Sequence, residues 1–307
     1  MDTGVLVLSS GSMSLSLVSF AMIVFIIVTQ QKKKRSGGSG GSGGGSGGPG
    51  NPMPIPAMKK NSGAPWNVFG IVNPSQISSD GTAVKITYLP NKAGMDSGAA
   101  FKASPTGLPA MGATLGYSVF WPAGTNVNKG GKLPGLLFAG SKTAASATGG
   151  NWYPNAGSAR VMFRENQKMI GYTYLAVKGG ALPAYAAQNA AYKAVSNPSN
   201  STTGHDIWYK KGGNPFGFLL NAWNDVTLQI RMNTVGKSDG LLSITVNDVT
   251  RTLNDVKWRE DASVLVQSIE FVSFYGGGDT GWACSVGSGS SGCKYAQFKN
   301  LRFSAAK

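Results

Sequence analysis

Histidine and cysteine are nearly absent from this chain of 307 residues: His205 is its one imidazole, and Cys284 and Cys293 are its two thiols. Two cysteines exclude a disulfide-built scaffold. No clustered Cys/His spacing offers a zinc site, so neither a metal nor a cofactor is expected. No GxxxxGK[ST] loop occurs, which argues against a P-loop nucleotide enzyme. Acidic residues are also scarce, 13 against 28 Lys and Arg, for a formal net charge of +15. Present instead are 44 glycines and many Ser, Thr, Val and aromatic residues, at 41% hydrophobic overall. That balance supports a sizeable core, excludes global disorder and reads as a β-rich domain with many turns.

The one long apolar stretch, 5–28, is uncharged and ends in Ala21-Met-Ile-Val-Phe-Ile-Ile-Val28. About 20 such residues span a hydrocarbon core. A secretory signal carries its positive charge ahead of the apolar region, whereas here Asp2 precedes it and Lys32, Lys33, Lys34 and Arg35 follow it. A retained transmembrane anchor over 1–35 is the expectation, with an uncleaved or unusual signal sequence as the alternative. The basic flank belongs on the cytosolic side, which places the bulk of the chain there. Those four charges would also meet anionic headgroups, at about 1 kcal/mol each. On that reducing side Cys284 and Cys293 are expected as free thiols. An extracellular domain would instead permit a disulfide between them.

Residues 36–50 are almost pure Gly and Ser, and prolines follow up to Pro56. Such a tether reaches roughly 20 Å. With the stiffer exit it forms a linker over 36–65, so the domain is expected over 66–307. After residue 50 the balance is 24 basic minus 12 acidic residues, or +12, so the positive field belongs to the domain itself.

Runs of period-two, β-branched or aromatic residues between turn formers predict strands near 82–89, 114–121, 133–138, 158–164, 170–177, 226–234, 241–247, 268–275 and 295–303. A weak helical stretch is expected around 184–195. Strands without interleaved helices imply an all-β antiparallel sandwich, of jelly-roll type. The stretch Ser158-Ala-Arg-Val-Met-Phe-Arg164 alternates strictly, putting Ser158, Arg160, Met162 and Arg164 on one face. After a short turn Tyr172 and Tyr174 share a face. A turn of three or five residues is expected to set Arg160 opposite Tyr174 and Met162 opposite Tyr172. A slip of one residue would send the tyrosines into the core. Arg and Tyr on a sheet face are also an ordinary solvent-side pairing, and Lys132 beside a Gly/Pro turn is by itself a common surface feature.

Together these segments resemble polysaccharide lyase family 14, the alginate and glucuronan lyases of large viruses of chlorella-like algae and of some marine molluscs. The likeness is carried by Ser97-Gly-Ala-Ala-Phe101, Leu115-Gly-Tyr-Ser-Val-Phe-Trp-Pro122, Gly131-Lys-Leu-Pro-Gly-Leu136, the S-x-R-x-M-x-R strand and Tyr172-Thr-Tyr174. Asn221-Ala-Trp223, Asn233 and Phe274-Tyr-Gly-Gly-Gly278 extend it. The resemblance implies a jelly roll whose cleft takes an acidic sugar chain along one sheet, lined by Lys132, Ser158, Arg160, Tyr172 and Tyr174. It implies β-elimination, with Arg160 on the uronate carboxylate and Lys132 assisting it or acting as base. Tyr172 or Tyr174 would serve as acid or base, with a pKa lowered by neighbouring cations. Ser158 and Arg164 would bind substrate. The family's histidine ahead of the S-x-R strand has no counterpart, since that region reads Gly149-Gly-Asn-Trp152-Tyr-Pro. The segment 181–201 reads as an insertion that would shade the cleft.

Two functions follow as expectations. One is a membrane-tethered, virion-associated lyase cutting a glucuronate- or alginate-type polymer, concentrated by the +12 domain. The other is a catalytically silent virion protein using the same fold between an internal membrane and the capsid, with capsid proteins as partners. A nucleic-acid partner is not expected, because no recognised motif accompanies the charge. His205 reads as an ordinary loop residue, and its neighbour Asp206 should point away from it on a strand.

Overall fold

The structure is a computed structural model that describes residues 65–141, 147–177, 181–197, 204–213, 216–284 and 292–306. The expected anchor and nearly all of the linker lie outside these residues. Among those described, no helix is long and apolar enough to cross a membrane.

In chain order the first strands are β1 (Val68–Val72), β2 (Ile77–Ser79), β3 (Val84–Thr87), β4 (Ala99–Ala103), β5 (Gly112–Phe120), β6 (Gly130–Ala139), β7 (Ala156–Arg164) and β8 (Lys168–Tyr174). Two short helices follow, α1 (Ala181–Ala186) and α2 (Ala190–Val195). The rest are β9 (Ser196–Asn197), β10 (His205–Ile207), β11 (Phe216–Gly217), β12 (Trp223–Arg231), β13 (Gly240–Val246), β14 (Val249–Val256), β15 (Leu265–Tyr275) and β16 (Tyr295–Ala306). They form two antiparallel sheets. The first runs β1-β4-β15-β6-β7-β8-β10-β9, with β11 also on β8; the second runs β14-β13-β12-β5-β16-β3-β2. All nine expected strands are present, and the expected sandwich class is what the chain forms.

The sheets meet through aromatic contacts. Phe271 on β15 stacks on Phe101 of its own sheet at 4.7 Å and meets Phe298 of the other sheet edge-on at 4.9 Å. Trp121 packs between Phe163 at 5.4 Å and Phe218 at 4.8 Å. In β13 buried and half-buried residues alternate throughout, the mark of a sheet with one wet face. In β6 and β7 every residue is buried, so both faces of the first sheet are covered at its centre.

The weakly helical stretch is the pair α1 and α2. Its packing departs from expectation. Gln188 bonds Lys257 on both sides, and the backbone N–H of Tyr192 donates to Asp255 at 3.1 Å. The described part of the segment therefore packs beside β14, and none of it lines the cleft. His205 lies not in a loop but on β10, fully buried, with Nδ1 at 2.9 Å from the Tyr192 hydroxyl. Cys284 and Cys293 are joined in a disulfide.

Candidate active site

The S-x-R-x-M-x-R strand and Tyr172-Thr-Tyr174 pair as adjacent antiparallel strands, β7 and β8. Three residues, Glu165–Gln167, make the turn, so Arg164 pairs with Lys168. This register differs from the expected one by two residues. Ser158 faces Tyr174, Arg160 faces Tyr172 and Met162 faces Ile170. A shift of two keeps the parity, so the six side chains stay on one face.

Following the register across strands gives a lateral row on the cleft face: Glu270, Gly135, Arg160, Tyr172 and Asp206, from β15, β6, β7, β8 and β10. The neighbouring row holds Phe274, Lys132, Met162 and Ile170. Between Lys132 and Gly135 the pairing shifts, an irregularity at Leu133-Pro134 that re-aims the strand. Gly135 has a packing reason. A Cβ there would lie 2.3 Å from the carbonyl of Ala159 and 2.6 Å from Cγ of Arg160. Without it the Arg160 side chain crosses β6 and forms an ion pair with Glu270 on β15.

This face is not an open solvent-side surface. Ser158, Arg160 and Tyr174 are each no more than 1% exposed, and Tyr172 and Lys132 are 8% exposed. A loop closes over them. Ser158 donates to the carbonyl of Ala147 at 2.9 Å, and Arg160 Nη1 donates to Thr148 Oγ1 at 3.0 Å. The Gly150 N–H donates to the Tyr174 hydroxyl at 2.9 Å, and the Gly204 N–H to the Tyr172 hydroxyl at 2.7 Å. The two phenol oxygens are 3.4 Å apart. Lys132 Nζ lies over the Tyr172 ring, 3.1 Å from its centroid, and 3.3 Å from Met162 Sδ.

What stays open is a cleft of ≈ 620 Å³ reached by Lys132, Arg160, Arg164, Tyr172 and Tyr174, but not by Ser158. Ser158 instead holds the covering loop. Asp206, Glu270 and Asp279 also line the cleft, so three carboxylates stand among its basic side chains. The cleft lining is thus of mixed charge. The large positive charge of the domain lies elsewhere.

Burial decides the titration of the two central groups. It holds Lys132 well below the ordinary lysine value, and the charge of Arg160 lowers it further. It drives Tyr172 well above the ordinary tyrosine value, with Tyr174 beside it adding to the rise. The expected cation-lowered tyrosine is therefore not found at Tyr172, because desolvation outweighs the one lowering contact, the Gly204 N–H on its oxygen. The lysine is the group poised to lose its proton.

Sequence reasoning missed Glu270, which sits in an apolar run. A lone carboxylate in the buried strand Ser268-Ile-Glu-Phe271 was the available signal. Asp206 was noted only as a neighbour of His205. The two do point apart, and Asp206 turns into the cleft to bind Arg164 at 3.0 Å. Asn233, one of the resemblance residues, stands outside the cleft: its side chain binds the backbone of Trp258 and Arg259. Among the described residues no group of three His, Cys, Asp or Glu is placed to hold a metal ion.

Comparison with known proteins agrees with the fold. Residues 77–296 match the family model for polysaccharide lyase 14. Exolysin of Paramecium bursaria Chlorella virus 1 is 25% identical over 175 residues, 53% of this chain but only 25% of exolysin. This chain thus matches about a quarter of that relative's length. Among solved structures, the marine alginate lyase of the same family from Aplysia kurodai superposes with a TM-score of 0.67. It is 22% identical, and the match covers 83% of this chain and 98% of the other. The Chlorella virus alginate lyase vAL-1 gives 0.62 at 23% identity, over 80% and 94%. At that identity the structures speak for the fold. With the family model covering most of the sandwich, the chain belongs to polysaccharide lyase family 14.

Proposed function

We propose that this protein cleaves a polyuronate by β-elimination on the cleft face of the first sheet. The observation that carries the reading is the convergence of Lys132, Arg160, Tyr172 and Tyr174 on one cleft, with burial moving Lys132 and Tyr172 in opposite directions. Neutral Lys132 takes the C5 proton, and the C5–H electron pair passes into the carboxylate as an enolate. That pair forms the C4=C5 double bond as the C4–O4 bond breaks, and the departing oxygen receives a proton from a tyrosine. Each tyrosine oxygen already accepts a backbone N–H, from Gly204 or Gly150, which leaves its own hydrogen to be donated elsewhere. A phenol held protonated by burial suits the acid role at Tyr172. Arg160 offers its charge to the uronate carboxylate as the enolate develops, in competition with Glu270.

The test is incubation of the full chain with polyglucuronate and with alginate, following the ultraviolet absorbance of the conjugated unsaturated product. Product from either polymer supports the reading; none across a broad pH range with folded protein contradicts it.

A second reading, a silent virion protein keeping the fold, is favoured by one observation: Arg160 is already paired with Glu270 inside the cleft. We further propose that residues 1–35 hold the domain at a membrane, in a virus particle next to the capsid, with the domain on the cytosolic side. The disulfide opposes that orientation, since such bonds persist in oxidising compartments and are rare in the reducing cytosol. Release of the protein from membranes by detergent but not by salt is the expected result; release by salt contradicts the anchor. Thiol labelling of intact cells and particles reads the compartment.

A further inference from the structure

Beyond the reacting groups, the far end of the cleft holds a second constellation around Arg164. This side chain is 7% exposed, yet its Nε has no hydrogen-bond partner among the described residues. One Nη binds Asp206, and the guanidinium carbon lies 4.4 Å from the Tyr209 ring centroid and 5.0 Å from that of Trp282. Tyr209 is fixed by its hydroxyl, which donates to Glu165 at 2.6 Å.

Trp282 lines the cleft and is half-buried. Its loop is tied down at several points. Asp279 accepts the Gly281 N–H at 2.8 Å, Asn128 donates to the carbonyl of Ala283 at 2.7 Å, and Cys284 is bonded to Cys293. Gly277 lies flat against the indole: a Cβ there would stand 2.1 Å from both Cδ1 and Nε1. The residue type at 277 is therefore what lets the ring stand in the cleft wall. A half-buried indole, locked in place and facing a cleft, is a preformed surface for a flat, partly apolar ring. A buried guanidinium donor beside it calls for an acceptor.

Resting on the polyuronate reading of this cleft, we propose that Trp282 and Arg164 form a second sugar position beside the reaction centre. It takes an acidic sugar unit of the same chain, with the indole against the pyranose ring and Arg164 toward the carboxylate. Tyr209 braces the guanidinium. Such a position rewards chain length: a uronate oligomer that reaches it binds more tightly than one that fills the reaction centre alone.

The experiment is calorimetric binding of uronate dimer and hexamer to the full chain carrying Lys132→Ala, which prevents turnover. Trp282→Ala is added to that background, and Trp282→Leu serves as the bulk-preserving variant should the alanine protein fail to fold. The expected result is hexamer affinity reduced about tenfold, the size of one aromatic contact with its ordered ring, with dimer affinity unchanged. Carboxyl-reduced hexamer should bind the parent weakly and be insensitive to Trp282. Equal losses for dimer and hexamer, no loss for either, or no hexamer binding by the parent would each overturn the proposal. The underlying reading fails separately: a length-dependent loss in a protein whose wild type makes no unsaturated product keeps the sugar position and removes the lyase.

Discussion

The two sheets solve different problems with the same strand geometry. In the second sheet, β12 and β13 alternate buried with half-buried or exposed residues, and one face stays wet. In the first, β6 and β7 are buried along their whole length, yet one of their faces carries Lys132, Ser158, Arg160 and Arg164. Charges on a wet face are cheap. Charges on a covered face must be paired, hydrogen-bonded or shifted in pKa, and this chain does all three, at Arg160–Glu270, Arg160–Thr148 and Lys132. Chemistry-bearing side chains and structural cost are thus concentrated in one sheet, while the other supplies the support.

The sharpest way to break this contrast is Glu270→Ala. It leaves the Arg160 charge buried without its partner, and thermal or denaturant unfolding should show a loss of about 3–5 kcal/mol. A loss below about 1 kcal/mol would mean that the covered face tolerates a lone charge as a surface does. Next comes Lys132→Met, where the sign follows from titration. The Lys132 value falls on folding, so the fold disfavours its protonated form. That penalty is complete below the depressed folded value and disappears above the unfolded value of 10.5. The variant should be more stable than the parent near neutrality by about 1 kcal/mol, with the gain shrinking to nothing as pH rises toward 10.5. A gain that does not vary with pH would point to packing alone. The smallest effect belongs to the wet sheet. Thr245→Ala removes one hydroxyl from a cross-strand pair with Thr250 at 2.8 Å and should cost no more than about 0.5 kcal/mol. A cost rivalling that of Glu270→Ala would erase the distinction between the sheets.

How much could be read beforehand divides along the same line. Strict alternation made β7, β12 and β13 legible, and parity placed Ser158, Arg160 and Arg164 with the two tyrosines on one face of the sheet. The pairing was misjudged by two residues because the three-residue turn sets Arg160 opposite Tyr172, whereas the expected pairing with Tyr174 needs five. β14 was missed because only Leu253 and Val256 of its residues are buried, so it has no apolar period to detect. β4, Ala-Ala-Phe-Lys-Ala, hides behind small residues. Within the site, what escaped were the contributions from distant strands and loops. Glu270 lies more than a hundred residues from Arg160, and only the sheet order brings β15 beside β6. Trp282 stands in a loop whose sequence has no period at all. The pKa directions were illegible for a different reason: they depend on burial under the loop at 147–150, not on which charges share the face.

The most direct measurement compares the full chain with its Lys132→Ala variant on the polyuronate it cleaves best, with far-ultraviolet circular dichroism confirming that both are folded. The account predicts a rate reduced by about 10²–10⁴-fold in a variant whose spectrum matches the parent's. Turnover at the parental rate in folded Lys132→Ala would contradict it, by removing the proton-accepting lysine from the cleft's chemistry.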